Sequence, residues 1–270
     1  MSSSYRDPEV KIGSIISTGC NAAYMEDYRA ITKIQGHLGP AAEQKAGRLI
    51  AINTEYGAYD NNRQMLPLTN FDEIVDRMSP HPGTQVYEKM VSGLYLGEIY
   101  RLILLELNSV GQLFPGKDVS ILEKPNIIDA SFMSIAESDI STSLEQMQHL
   151  FEGQLGIKPN SDELKVCRYL IELVGTRAAR LYACGIAAIC RRMKVTRCRV
   201  GVDGAVFQHY THFRSRASHA LREILGWPYH FEDLVTFHMT EDGSGIGGAI
   251  IAAVALQERG GEELKPKSGY

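Results

Sequence analysis

Residues 10–26 read Val10-Lys11-Ile12-Gly13-Ser14-Ile15-Ile16-Ser17-Thr18-Gly19-Cys20-Asn21-Ala22-Ala23-Tyr24-Met25-Glu26, and this stretch decides the fold. Val10, Ile12, Ile15 and Ile16 alternate loosely, as in a half-buried strand, and the run ends in the small residues Ser17-Thr18-Gly19. Asn21–Tyr28 reads as the return strand of a hairpin. Residues 35–47 are glycine, alanine, proline and charge, so a loop is expected there. Leu49–Thr54 reads as a third short strand. Three strands therefore precede any helix.

Beyond them lies a connection rich in proline, asparagine and aspartate, with Pro67, Pro80, Pro82 and Gly83. Tyr87, Val91, Leu94, Leu102 and Leu105 then recur at helical spacing, predicting one long central helix over Thr84–Asn108. Gly93 and Gly97 inside it point to close backbone packing. Residues 130–150 read as one or two surface helices carrying Glu137, Asp139 and Glu145. A longer helical pattern covers Asp162–Lys194. After it come a strand at Arg199–Val202, a helix at His212–Leu225 and a strand at Val235–Thr240. A last helix opens at Asp242-Gly243-Ser244-Gly245 and runs through Leu256. From Gly260 to Tyr270 a disordered tail is expected. Antiparallel-type strands followed by strand–helix alternation predict an α/β protein with a mixed sheet. No repeat of 20–50 residues is visible.

Composition narrows the functional classes. The chain has 270 residues, 44% hydrophobic and 22% charged, with a net charge of −4. Without a global positive field, a general nucleic-acid partner is not expected. Cys20, Cys167, Cys184, Cys190 and Cys198 form no C-x-x-C pair, which fits reduced thiols. The first residues lack an apolar signal-like core. The apolar runs Leu102–Leu105 and Leu181–Cys190 fall short of the ~18 residues of a membrane span. A soluble cytoplasmic protein without a membrane partner is expected.

Three small-residue turns follow predicted strands: Ser17-Thr18-Gly19-Cys20-Asn21, Asp203-Gly204-Ala205 and Asp242-Gly243-Ser244-Gly245. Such turns expose backbone N–H groups and suit phosphate. Gly243, Gly245 and Gly248 match G-x-G-x-x-G, with Glu262 and Glu263 near the distance of a ribose acid. No further strand follows to complete a dinucleotide unit. Glu55 and Glu88 sit among apolar and aromatic residues. They could accept hydrogen bonds from a polyol, work as an acid–base pair on a glycoside, or do nothing more than cap and solvate. Arg191, Arg192, Lys194, Arg197 and Arg199 read as a solvated helix end. His209 and His212 give H-x-x-H without an acidic ligand in register, so no metal site is expected. Cys20 reads as a small buried residue.

Several segments are similar to one family, in the family's own order. Residues 12–26 resemble the second phosphate motif of the eukaryotic hexokinases, with the fungal members nearest. Ile52-Asn53-Thr54-Glu55-Tyr56-Gly57-Ala58-Tyr59-Asp60 resembles their sugar-contacting strand and turn. Residues 79–98, from Ser79-Pro80-His81-Pro82-Gly83 to Tyr95-Leu96-Gly97-Glu98, resemble the helix that follows. Val200-Gly201-Val202-Asp203-Gly204 resembles the adenosine motif, and residues 241–247 resemble the turn before the last helix. The resemblance implies an actin-like, ribonuclease-H-like fold and phosphorylation of a glucose-like hexose at its 6-hydroxyl, with ATP and Mg2+. It implies that Asn21, Glu55, Gln85 and Glu88 bind the sugar. It also implies that Thr18, Gly19, Asp203, Gly204 and Ala205 face the nucleotide. Residues 1–259 would form the later part of the large domain, with 260–270 as tail.

The departures from the family are as specific. No D-L-G-G-T-N phosphate motif and no N-D-T-x-G-T motif, whose Asp is the family's base, occur in the sequence. Ser17 replaces a usual glycine, Ala205 a usual serine, and Tyr210-Thr211 a usual His-Pro. No catalytic residue is therefore assigned. The chain alone is expected to be inactive, working with a partner chain that supplies the missing half, or as a hexokinase-like regulator that senses sugar without catalysis.

Overall fold

The computed structural model describes residues 7–34, 49–228, 232–240 and 243–263. The loop expected over 35–47, the acid Asp242 and the tail beyond 263 lie outside these residues. Five strands form one sheet: β1 (Val10–Ile16), β2 (Cys20–Asp27), β3 (Leu49–Asn53), β4 (Cys198–Asp203) and β5 (Val235–Met239). Their order is β3-β2-β1-β4-β5. β1 pairs antiparallel with β2 and parallel with β4, and β4 pairs parallel with β5. The sheet is thus mixed, as the strand–turn pattern predicts. It is joined at β1, the strand whose alternation opens the sequence.

One face of the sheet is the core. Ile12 and Ile16 of β1, Val200 and Val202 of β4 and Phe237 of β5 are buried on it. Helix α6 (Ser161–Met193) lies in this core and buries Ile171, Ala178, Tyr182, Ile186 and Cys190. An Asn160–Glu163 capping box starts it and a left-handed Lys194 ends it. By length and composition α6 could cross a membrane, which its separate apolar runs do not suggest, yet 56% of its apolar window is buried in the fold. Tyr182 stacks with Phe207, Phe213 and Phe237 and donates through its hydroxyl to Ser14 Oγ at 3.1 Å. That bond satisfies the polar residue on the apolar face of β1. Helices α7 (Ala205–His209) and α8 (Phe213–Leu225) complete this layer.

Four expectations need correction. The proline-rich connection contains a helix, α1 (Asn70–Met78), opened by a Thr69–Asp72 capping box that was not read from the sequence. The single helix predicted over Thr84–Asn108 is two, α2 (Val86–Val91) and α3 (Gly93–Ser109), separated by an extended Ser92. The break arises because Gly93 N–H donates to Ser17 O on the β1–β2 turn, at 2.7 Å. A Cβ on Gly93 would lie 2.7 Å from Val206, so close packing at that glycine is as expected. Of the three acids expected on the surface over 130–150, Glu145 is exposed but Glu137 and Asp139 are not. Helices α4 (Ala130–Ser138) and α5 (Glu145–Leu150) bury Glu137 and Asp139 beside them, with Glu137 paired to Arg216. Finally α9 (Gly243–Glu263) continues past Leu256 and into the stretch expected to be tail.

Candidate functional site

The β1–β2 turn is tight: Ser17 N–H donates to Gly19 O at 2.8 Å. Cys20 N–H, at the start of β2, donates to Glu88 Oε2 at 2.8 Å. A Cβ on Gly19 would lie 2.6 Å from that same oxygen, so glycine is what lets the Glu88 carboxylate sit on the turn. Glu88 belongs to the first turn of α2, but its carboxylate serves the strand turn. Burial, and next the Glu88 charge, push the Cys20 thiol well above its ordinary value, so Cys20 stays a neutral core residue.

Asn21 and Glu55 meet because β2 and β3 run antiparallel with Ala23 opposite Asn53. Asn21 Nδ2 donates to Asn53 Oδ1 and Glu55 Oε1, each at 2.8 Å, and Asn53 Nδ2 donates to the same Glu55 oxygen at 2.6 Å. Asn21 Oδ1 accepts from Ala22 N–H and Glu55 N–H, at 2.8 and 3.1 Å. The exposed Glu55 carboxylate is thereby held in place by two amides. Its backbone is left-handed, with φ 49°.

Gln85, at the N-terminus of α2, is also left-handed, with φ 53°, and its Oε1 is buried without a partner. A left-handed non-glycine residue costs about 1–2 kcal/mol, and an orphaned buried acceptor about 1–3 kcal/mol more. Costs of this kind collect at functional sites. Gly57 closes the corner. A Cβ there would come within 3.2 Å of Cys20 O and Glu88 Cβ, and 3.3 Å of Gln85 Oε1. Two of the expected sugar residues, Asn21 and Glu55, are therefore bonded to each other, and Gln85 and Glu88 converge on Gly57, with Glu88 also bonded to Cys20 at the start of β2.

The expected nucleotide residues line an adjoining edge. β1, β4 and β5 are mutually parallel, so the small-residue turns after β1 and β4 leave the same edge of the sheet. Such carboxyl-end edges are where α/β sheets bind ligands. Thr18 and Gly19 follow β1. Asp203 closes β4, Gly204 follows with φ 111° and the exposed Ala205 starts α7. A Cβ on Gly204 would clash with Ile16 O, so this backbone packs directly on the end of β1. Asp203 Oδ1 accepts from Gly204 N–H at 2.8 Å.

Other sequence candidates take ordinary places. Arg192 pairs with Glu26, Arg197 with Glu232, and Arg199 with Asp7 and Glu9, while Arg191 donates to Ile224 O, so these members of the basic cluster have separate partners. Thr211, in the altered Tyr210-Thr211 position, donates from its N–H to Ser134 Oγ and from its hydroxyl to Ser134 O. Sequence reasoning missed Asn53 and Gly57 as site members. The signal for Asn53 was its place in the strand, which the antiparallel register sets opposite Ala23, two positions along β2 from Asn21.

The architecture is that of the actin-like ATPases, in one mixed-sheet repeat with flanking helices. A family model described as hexokinase matches residues 11–254, and the chain belongs to the hexokinase family. The hexokinase of Emericella nidulans is 48% identical over 259 residues, 95% of this chain and 52% of that protein. Hexokinase-1 of Saccharomyces cerevisiae is 43% identical over 256 residues, 94% of this chain and 52% of that protein. Among solved structures, the hexokinase from Schistosoma mansoni complexed with glucose superposes with a TM-score of 0.81. It is 32% identical, over 94% of this chain and 55% of that one. The chain spans about half the length of the curated fungal relatives it matches. This membership removes the dinucleotide and glycoside-hydrolase readings.

Proposed function

We propose that this chain forms the hexose- and ATP-binding face of a hexokinase and that phosphoryl transfer requires an acid from outside it. The observation that carries the reading is the corner itself. Two carboxylates and two amides, fixed by one another and by backbone N–H groups, stand beside an edge of N–H-rich turns. Glu55 and Glu88 accept from sugar hydroxyls, and the Asn21 and Gln85 side chains add directed donors and acceptors. Such prior fixing reduces the entropy lost when a hexose is held in one orientation.

The nucleotide side fits by a different chemistry. Thr18 and Gly19 present backbone N–H groups to phosphate, and Asp203, Gly204 and Ala205 present a flat, side-chain-poor edge to the nucleoside. ATP supplies the phosphoryl group and Mg2+ neutralises its developing charge. Among the described residues no group of three or more His, Cys, Asp or Glu side chains gathers as a metal cage. The donor set therefore fits an Mg2+ carried on the phosphates, its usual mode. The sequence has no N-D-T-x-G-T aspartate to accept the proton of the attacking hydroxyl. Loss of such a base costs roughly 10²–10⁴-fold in rate. A partner chain or further segment, in the cytoplasm, completes the enzyme. Ile15 on the sheet and Ile251 and Leu256 on α9 are exposed apolar residues available for it.

Calorimetry with glucose tests the reading, alongside a coupled assay for hexose 6-phosphate. Saturable glucose binding is expected, with turnover at least roughly 100-fold below that of a complete hexokinase. A folded chain that binds no glucose overturns the site. Turnover within tenfold of a complete hexokinase overturns the need for an outside acid. Binding that no added partner converts into turnover favours the sugar-sensing alternative.

A further inference from the structure

The structure assigns a positioning role to a buried ion pair behind the corner: Asp76 and Lys89 fasten the 81–83 turn and thereby set Gln85 and Glu88. This inference rests on the hexose reading of those two residues. Asp76, near the end of α1, and Lys89, in α2, are each 4% exposed. Asp76 Oδ1 accepts from Lys89 Nζ at 2.6 Å. Both Asp76 oxygens face Gly83 N–H, at 3.1 and 2.9 Å, and Oδ2 also accepts from Arg63. Lys89 Nζ donates in addition to His81 O at 2.7 Å. The two charges are thus joined to each other and to two backbone groups of the turn that ends two residues before Gln85.

A buried pair of this kind is a poor device for stability alone, because removing two charges from water costs about what their attraction returns. Its geometry suits a different task. Gln85 holds a left-handed conformation that it does not prefer, and surrounding structure must impose it. The turn before Gln85 is pinned by Asp76 and Lys89. Val86 N–H, just after it, is held by Asn61 Oδ1 at 3.2 Å. Lys89 is the neighbour of Glu88 on a helix of six residues, so anchoring one fixes the other. A cavity of about 10 Å³, lined by Arg63, Asp72, Asp76 and Lys89, leaves room for no more than about one water in the clamp. Asp76 lies outside the segments that resemble the hexokinases and Lys89 inside the 79–98 segment beside Glu88, and neither needs to touch sugar to act.

Hydrogen exchange and glucose calorimetry on the full chain test this together. The Cys20 amide reports the seating of Glu88, because that carboxylate is its acceptor. In Asp76→Asn the Gly83 and Cys20 amides should exchange at least about tenfold faster than in the wild type, and the glucose Kd should rise by about tenfold or more. Asp72→Asn is the control. It breaks another ion pair of α1, to Arg177, and should lower the melting temperature while leaving Cys20 exchange and Kd within about twofold. The double variant Asp76→Asn/Lys89→Met leaves no buried lysine without its acid, and the Arg63 guanidinium that also loses its partner is partly exposed to water. This double variant should recover melting temperature without recovering affinity or Cys20 protection, and it carries the same test if the single variant does not fold. Unchanged Cys20 exchange and Kd in the Asp76 variants overturn the role, as does an equal response in Asp72→Asn. Were the wild type to bind no glucose while Cys20 exchange followed this pattern, the hexose reading would fail and the clamp would stand.

Discussion

The two halves of the site are built from different materials. The corner at Asn21, Glu55, Gln85 and Glu88 is made of side chains, two of which are fixed with Asn53 through bonds of 2.6–2.8 Å among Asn21, Asn53 and Glu55. The edge at Thr18, Gly19 and Gly204 is made of backbone, and a side chain on Gly204 would collide with β1. The difference follows from what each would recognise. Hydroxyls of a hexose are neutral and differ only in direction, so they need aimed partners. Phosphate is charged and nearly round, so N–H groups without obstruction suffice. One half tolerates little change in side chains, the other little change in backbone.

The first prediction strikes the stability of both halves, the next three each weaken one half more than the other, and the last spares both. Burial alone would raise the carboxyls of Asp72 and Asp76, but hydrogen bonds and charge from Arg177 and Lys89 hold them below the ordinary 3.8. Groups with depressed folded values stabilise fully above the ordinary value, and that contribution is lost as pH falls through the lower one. Thermal melts should therefore drop steeply below about pH 4, with glucose and nucleotide binding lost together. Next in size, Glu88→Gln removes a charged acceptor worth about 1.5–3 kcal/mol. Glucose affinity should fall by roughly 10–100-fold while nucleotide affinity, followed by a fluorescent ATP analogue, is unchanged. Gly204→Ala is the mirror experiment. Left-handed strain of about 1–2 kcal/mol plus the contact with Ile16 O should weaken the nucleotide more than the sugar. Asn53→Ala takes one acceptor and one donor from the corner, and a loss of about 1 kcal/mol should appear as a fivefold to tenfold rise in glucose Kd. Smallest of all, Arg197→Ala breaks a 3.5 Å pair between exposed chains and should move the melt by less than about 0.5 kcal/mol and neither affinity.

Legibility in the sequence followed the same division. Alternation at Val10–Ile16 and small-residue turns after strands mark the sheet and its binding edge, because both depend on local pattern. The corner was visible only in pieces: Glu55 and Glu88 stood out as acids among apolar residues, but nothing local joined them. What joins them is the β2–β3 register and the seating of the Glu88 carboxylate against Gly19 and Cys20, which are long-range facts. The break at Ser92 was illegible for a related reason. Its neighbours have good helical periodicity, and the competing bond comes from Ser17, 76 positions earlier in the chain. Glu137 and Asp139 looked like a wet surface because a buried acid is recognised by its partner. For Glu137 that partner is Arg216, which sits on a different helix.

The interruption at Ser92 has a mechanical result. It leaves α2 only six residues long, fastened to the turn before it through Lys89 and just past its end through the bond from Gly93 to Ser17. Ser17 is part of the turn expected to meet phosphate, and Glu88 part of the corner expected to meet sugar. A single turn and a half of helix therefore connects the two ligands. By linkage, whatever free energy one ligand gains by shifting that helix, the other must gain or lose in equal measure.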